Sequence, residues 1–94
     1  MEISTLGDVI EETLLPGDRE KPPLCYRLYR GRTEEGRPSF SISCEATAKG
    51  VLWEDGILVR DVTSDRAAAE KIFRALTAGE VTPYGMKDVL EDLL

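Results

Sequence analysis

Apolar and polar residues alternate through the middle of this chain, then change to a spacing of three to four residues in its last third. Leu24, Tyr26 and Leu28 interleave with Cys25, Arg27 and Tyr29; Phe40, Ile42, Cys44 and Ala46 interleave with Ser39, Ser41, Ser43 and Glu45. Successive side chains of a strand point to opposite faces, so both runs read as strands with one apolar face each. The polar loop from Gly31 to Arg37 joins them and predicts a hairpin. Its register is constrained, because a slip of one residue would turn every side chain to the wrong face. The apolar sets meet only if Leu24, Tyr26 and Leu28 lie on the side of Phe40, Ile42 and Cys44. That expectation puts Cys44 in the core and Cys25 on the polar face, with no bond between them.

Beyond Asp61 the pattern turns helical. Ala69, Ile72, Phe73 and Leu76 form one apolar stripe, and Met86, Val89, Leu90 and Leu93 form a second. Ser64 is placed to cap the first helix, with Asp65 at the positive end of its dipole. Gly79 suits a left-handed residue closing it. Thr82-Pro83 opens the second helix with a hydroxyl and a proline at the first helical position. Both stripes are expected to cover the Tyr26, Leu28, Phe40 and Ile42 face of the sheet.

Two segments stay ambiguous. Ile3, Leu6, Ile10 and Leu14 suit a helix, whereas Val9 to Leu15 suits a strand; the turn Pro16-Gly17-Asp18 before the next strand favours the latter. Val51-Leu52-Trp53, Glu54-Asp55-Gly56 and Ile57 to Val62 read either as one bulged strand or as two short strands about an Asp-Gly turn. The connections are too short for parallel crossovers, so the sheet is antiparallel. The expected fold is α+β: a single domain over residues 1–94, with a three- to four-stranded antiparallel sheet and a C-terminal pair of helices packed on one face.

Composition narrows function mainly by exclusion. The 94 residues are 41% apolar and 32% charged, which suits one small globular domain and is too apolar for disorder. No apolar run exceeds three residues and no basic segment leads into an apolar one, so neither a membrane span nor a signal peptide is expected, and the cytoplasm is the expected compartment. Histidine is absent, which removes the commonest general base and metal ligand. No phosphate loop, dinucleotide fingerprint, nucleophile elbow or zinc motif is present. Adjacent acids such as Glu11-Glu12, Glu34-Glu35, Glu54-Asp55 and Glu91-Asp92 do not face each other, so they read as solvated surface rather than as a dyad or a metal site. Cys25 shares a face with Arg27, which would lower a thiol pKa; an inert, partly exposed cysteine is the plainer reading. No catalytic residue, metal or cofactor is assigned, and an enzyme is not expected.

The net charge of −6 disfavours a phosphate backbone, yet its distribution is uneven. Residues 1–20 carry six acids against Arg19 alone, whereas Lys21, Arg27, Arg30, Arg32 and Arg37 outnumber Glu34 and Glu35 in the next twenty. Arg27, Tyr29, Arg30 and Arg32 together could stack and neutralise single-stranded nucleic acid. The competing reading pairs these arginines with glutamates on neighbouring strands, cancelling the basic patch. A helix-turn-helix reading of the C-terminal pair fails on charge, since Asp88, Glu91 and Asp92 outnumber Lys87. Trp53 is either core or an exposed anchor.

The residues Tyr26-x-Leu28, Phe40-Ser41-Ile42, Asp61-Val62-x-x-Asp65-Arg66 and Thr82-Pro83 through Asp88-Val89-Leu90-Glu91-Asp92-Leu93-Leu94 resemble a family of small Firmicutes proteins described only as a domain of unknown function. The resemblance covers roughly residues 24 to 94. The family pattern favours glycine where this chain has Ser41, and often histidine where it has Gly85. It implies a bacterial cytoplasm and supplies no activity. The leading expectation is a small acidic protein-interaction module, binding a protein partner or itself, with Arg27, Tyr29, Arg30 and Trp53 as its surface. Nucleic-acid binding through the Arg/Tyr strand is the alternative, and no membrane partner is expected.

Overall fold

The structure, a computed structural model, describes residues 5–17, 19, 22–47 and 54–93. Four strands come first, β1 (Thr5–Leu15), β2 (Leu24–Arg32), β3 (Pro38–Thr47) and β4 (Glu54–Thr63), then α1 (Arg66–Ala78) and α2 (Pro83–Leu93). The strands lie in the order β1-β2-β3-β4, each antiparallel to its neighbour. This is the α+β architecture expected, with four strands.

The hairpin register follows the apolar pattern. Leu24 sits opposite Ala46, Tyr26 opposite Cys44, and Leu28 opposite Ile42. Tyr26, Leu28, Ile42 and Cys44 are completely buried, together with Ala69 and Leu76 of α1 and Met86 of α2. Phe40, Phe73, Ile72 and Leu90 join that core, as do Leu24, Ala46 and Val62, and Val89 packs against it. Complete burial of a side chain of this size contributes about 1.5–3 kcal/mol, which far exceeds any surface contact in the molecule. The side chain of Leu93 lies outside the described residues.

Residues 5–15 form a strand longer than the expected Val9 to Leu15. Its register against β2 shifts between Thr5 and Asp8 and again between Val9 and Glu11. The second shift leaves Ile10 as an extra residue packed against the core. A bulge advances the alternation by one position. Apolar residues at Leu6, Ile10 and Leu14 thereby imitate a helical spacing. Gly7 has φ +79 and lies so close to β2 that a Cβ there would sit 1.9 Å from the Arg30 carbonyl oxygen.

The Asp-Gly turn does not form. Asp55 pairs with Ala46 and Gly56 with Glu45, so both lie within one continuous strand. Gly56 is explained by a close approach: a Cβ would meet Cγ of Glu45 at 3.3 Å. Further along, Val59 pairs with Ile42 but Thr63 with Phe40, which leaves extra residues in β4. Asp61, at φ 55, turns the chain there. The bend is held by Ser41, whose Oγ accepts from the Asp61 N–H at 3.2 Å, and by Ser39, whose hydroxyl donates to Asp61 Oδ1. Val51, Leu52 and Trp53 lie outside the described residues, and with them the question of Trp53.

Both helix ends differ by one residue from expectation. Asp65, not Ser64, is the N-cap of α1; its Oδ1 accepts from Ala67 N–H at 3.2 Å. The helix starts at Arg66, so the extended residue whose side chain reaches the free N–H groups is Asp65. At the other end Gly79 is right-handed (φ −82) and the left-handed residue is Glu80 (φ 50). Glu80 N–H donates to Thr77 C=O at 3.2 Å and Val81 N–H to Leu76 C=O at 3.1 Å. This is the Schellman arrangement, with its left-handed position one residue beyond the glycine.

That turn is tied to the sheet. The Tyr26 hydroxyl donates to the Val81 carbonyl at 2.7 Å, and Cys44 Sγ approaches the same oxygen at 3.6 Å. Tyr26→Phe keeps the ring but removes the main donor from a part-buried carbonyl. We expect it to lower unfolding free energy by about 1–2 kcal/mol in urea titration. An unchanged midpoint would show that the tie contributes nothing.

Candidate protein-binding face

Both helices lie over one side of the sheet, and the residues of opposite parity form the other side. Three cross-strand rows make up this second face. Leu14 is opposite Cys25, which is opposite Glu45; Glu12 is opposite Arg27, then Ser43, then Leu58; Val9 is opposite Tyr29, then Ser41. Among the described residues, the exposed large apolar side chains are Leu14 (66%), Val9 (46%) and Leu58 (42%). All three belong to these rows. Single exposed apolar residues are unremarkable; their confinement to one face is the informative observation.

Arg27 stands at the centre. Its Nε lies 2.8 Å from Glu12 Oε2 on β1, and its Nη1 3.4 Å from Glu45 Oε1 on β3. The hydrogen bond to Glu12 holds the guanidinium even further above its ordinary pKa. These side chains are about a third or more exposed, and such pairs contribute at most about 1 kcal/mol. Their effect is to orient the three side chains and neutralise one another. Gly56 leaves the space that Glu45 occupies.

The serines that alternate with the apolar residues of β3 are not exposed, although they stand on the face the helices leave open. Ser39, Ser41 and Ser43 are 5%, 3% and 5% exposed. β3 is an inner strand, flanked by β2 and β4. Ser43 donates to the Tyr29 hydroxyl oxygen at 3.3 Å, while Ser39 and Ser41 engage Asp61. The hydroxyls therefore serve the sheet.

The basic stretch of β2 is divided between the two sides. Arg27 and Tyr29 share the uncovered face, but Arg30 is opposite Phe40 and points to the helical side, exposed beyond the helices. Arg32 shares that parity. It lines an open cleft of about 540 Å³ with Arg30, Asp8 and the glycines Gly7, Gly31 and Gly36. The sequence-derived surface of Arg27, Tyr29, Arg30 and Trp53 is thus not one surface: Arg27 and Tyr29 are together, Arg30 is on the far side, and Trp53 lies outside the described residues. Val9, Leu14 and Leu58 were missed. Leu58 was detectable, because it lies between Ile57 and Val59 and must face away from the side they share.

Both cysteines are free. Cys25 is half-buried beside Leu14, at the edge of an open groove of about 440 Å³ that also contacts Pro16 and Pro23. Burial raises its thiol pKa, Arg27 opposes this, and Glu12 and Glu45 add to the rise. The arginine thus fails to activate the thiol. Cys44 is fully buried, and burial pushes its thiol up to about 11. Among the described residues no cluster of histidine, cysteine and carboxylate side chains could hold a metal, and no helix is long and apolar enough to cross a membrane.

These features define a small α+β domain with one helix-covered sheet face and one open, partly apolar face. The chain belongs to the family described as "Family of unknown function (DUF6514)", whose model matches residues 6–94. Neither a curated protein nor a solved structure matches it.

The buried thiol sets an alkaline limit to stability. Cys44 ionises near 9 when unfolded and near 11 when folded, and burial likewise raises the Tyr26 hydroxyl above its ordinary value. The unfolded chain therefore loses these protons first, and stability present below about pH 9 falls as pH rises towards 11. Chemical denaturation at pH 8, 9.5 and 11 (about one ordinary thiol pKa and above) checks this. Cys44→Ala should lose less stability over the same interval, and an equal loss would exclude Cys44 as a source.

Proposed function

We propose that this chain is a bacterial, cytoplasmic, non-enzymatic protein-interaction module that binds through the uncovered face of its sheet. One observation carries the reading: Leu14, Val9 and Leu58, the large apolar side chains exposed among the described residues, all stand on that face. Around the Glu12–Arg27–Glu45 ion pairs they provide apolar anchors beside oriented polar groups, as protein interfaces require. The rigid sheet supplies a preformed surface, so little ordering free energy opposes binding.

The pairing of Arg27 weighs against nucleic acid as the ligand. A guanidinium held between two carboxylates is already neutralised, and its neighbour Arg30 faces away. A phosphate backbone tracking this strand would meet Glu12 and Glu45 as readily as Arg27.

The test is affinity capture from host lysate after nuclease treatment, comparing the wild type with Leu14→Asp/Leu58→Asp. Both residues are exposed, so the fold tolerates the change. We expect a stoichiometric protein partner on the wild type, retained at least about tenfold less by the variant, a loss of about 1.4 kcal/mol or more. Glu91→Lys on α2 should keep it. Equal retention by all three proteins, or recovery of nucleic acid alone in a parallel capture without nuclease, would refute the reading.

A further inference from the structure

We infer that two copies of this chain pair antiparallel through the free edge of β4, about a twofold axis at Leu58. The inference rests on the protein-binding reading and names a second copy of the chain as one of the partners.

The two edges of the sheet are unlike. β1 is a guarded edge: its register breaks twice, Gly7 bends it at φ +79, and Asp8 and Glu12 place exposed carboxylates along it. Bulges and charges of this kind are how edge strands avoid pairing. β4 differs over its first half. From Glu54 opposite Thr47 to Val59 opposite Ile42 its register against β3 is continuous, and Gly56-Ile57-Leu58-Val59 carries no charge or proline. Among the described residues no strand lies on its outer side. Leu58 remains 42% exposed there.

The same segment is complementary to its own copy. Antiparallel pairing about Leu58 sets Leu58 against Leu58 of the second copy, and Ile57 against its Val59. Apolar side chains then meet on both faces, and no charge meets a like charge over these positions, which matters for a chain of net charge −6. The twofold axis runs perpendicular to the sheet, so both helical layers lie on one side and the two uncovered faces become continuous. Leu14, Val9 and Leu58 are thereby doubled on a single surface. The irregularity at Arg60 and Asp61 ends the pairing, and the guarded β1 edges stop further addition, so the assembly closes as a dimer. A contact of so few residues buries less than the roughly 1,200 Å² of a stable interface, so the dimer is weak and concentration-dependent.

Sedimentation of the purified full chain over a concentration series should show a reversible monomer–dimer equilibrium. Leu58→Lys should weaken it at least about tenfold, and Val9→Lys should leave it unchanged. Leu58→Cys in a Cys25→Ser background should form a disulfide-linked dimer on mild oxidation. Directly paired strands bring opposite Cα atoms to about 4.5–5.5 Å, within disulfide reach. Sheets stacked face to face stand about 10 Å apart and would not allow that bond. A wild type that stays monomeric, or a dimer that Leu58→Cys does not trap, overturns the inference. In either case the capture experiment with Leu14→Asp/Leu58→Asp still judges the uncovered face, because hetero-partner retention there does not require self-association.

Discussion

Tyr26 lies opposite Cys44, and both reach the carbonyl of Val81 in the turn between the helices. The pairing fixes the β2–β3 register, and with it the side of the sheet that receives apolar residues. The reach to Val81 then fixes where the helical pair sits on that side. Each part reinforces the other, since a register slip of one residue would leave Tyr26 and Cys44 on opposite faces, and only one of them could reach Val81. Leu76 and Met86, on either side of that turn, are fully buried. The open face is the complement of the same choice: once the helices are committed, Val9, Leu14 and Leu58 have no cover within the described structure.

Much of this was readable from residue order. Strict alternation in Leu24–Tyr29 and Ser39–Ala46 specified the hairpin, its register and the separation of the two cysteines, because a period of two admits a single apolar face. The helical stripes were equally explicit: Ala69, Ile72, Phe73 and Leu76 are all buried. The ambiguities and the misplaced caps have a common physical form. Two open readings resolve in this way: β1 is the strand that was favoured, its helical spacing produced by a bulge that adds a residue, and β4 is the single-strand alternative, with Gly56 marking a close approach of Glu45 rather than a turn. At the end of α1 the left-handed position falls on Glu80, where a glycine would be easier, because the turn is placed by tertiary contacts at Val81. Local preference yields where packing is stronger.

The candidate site was less legible for a different reason. Whether Arg27 is a binding group depends on what stands beside it, and its partners come from positions 15 and 18 residues away. Sequence alone leaves open a basic strand or arginines paired across strands; the register decides for pairing at Arg27 and shows that Arg30 points the other way. Likewise, the serines of β3 look polar and exposed until an inner strand buries them. The apolar residues that remain on the face are few, and they acquire meaning only through their common position.

Cys25 offers the most direct probe of the central claim, that this face is covered by a protein partner in the cell. It is the half-buried thiol of that face, whereas Cys44 is enclosed by the core. Maleimide labelling, read residue by residue by mass spectrometry, should be compared between dilute purified protein and intact host cells. If a partner covers the face, Cys25 labels in the purified protein and is protected in cells, with Cys44 unlabelled in both until the fold is denatured. Equal labelling of Cys25 in both settings would contradict the central claim.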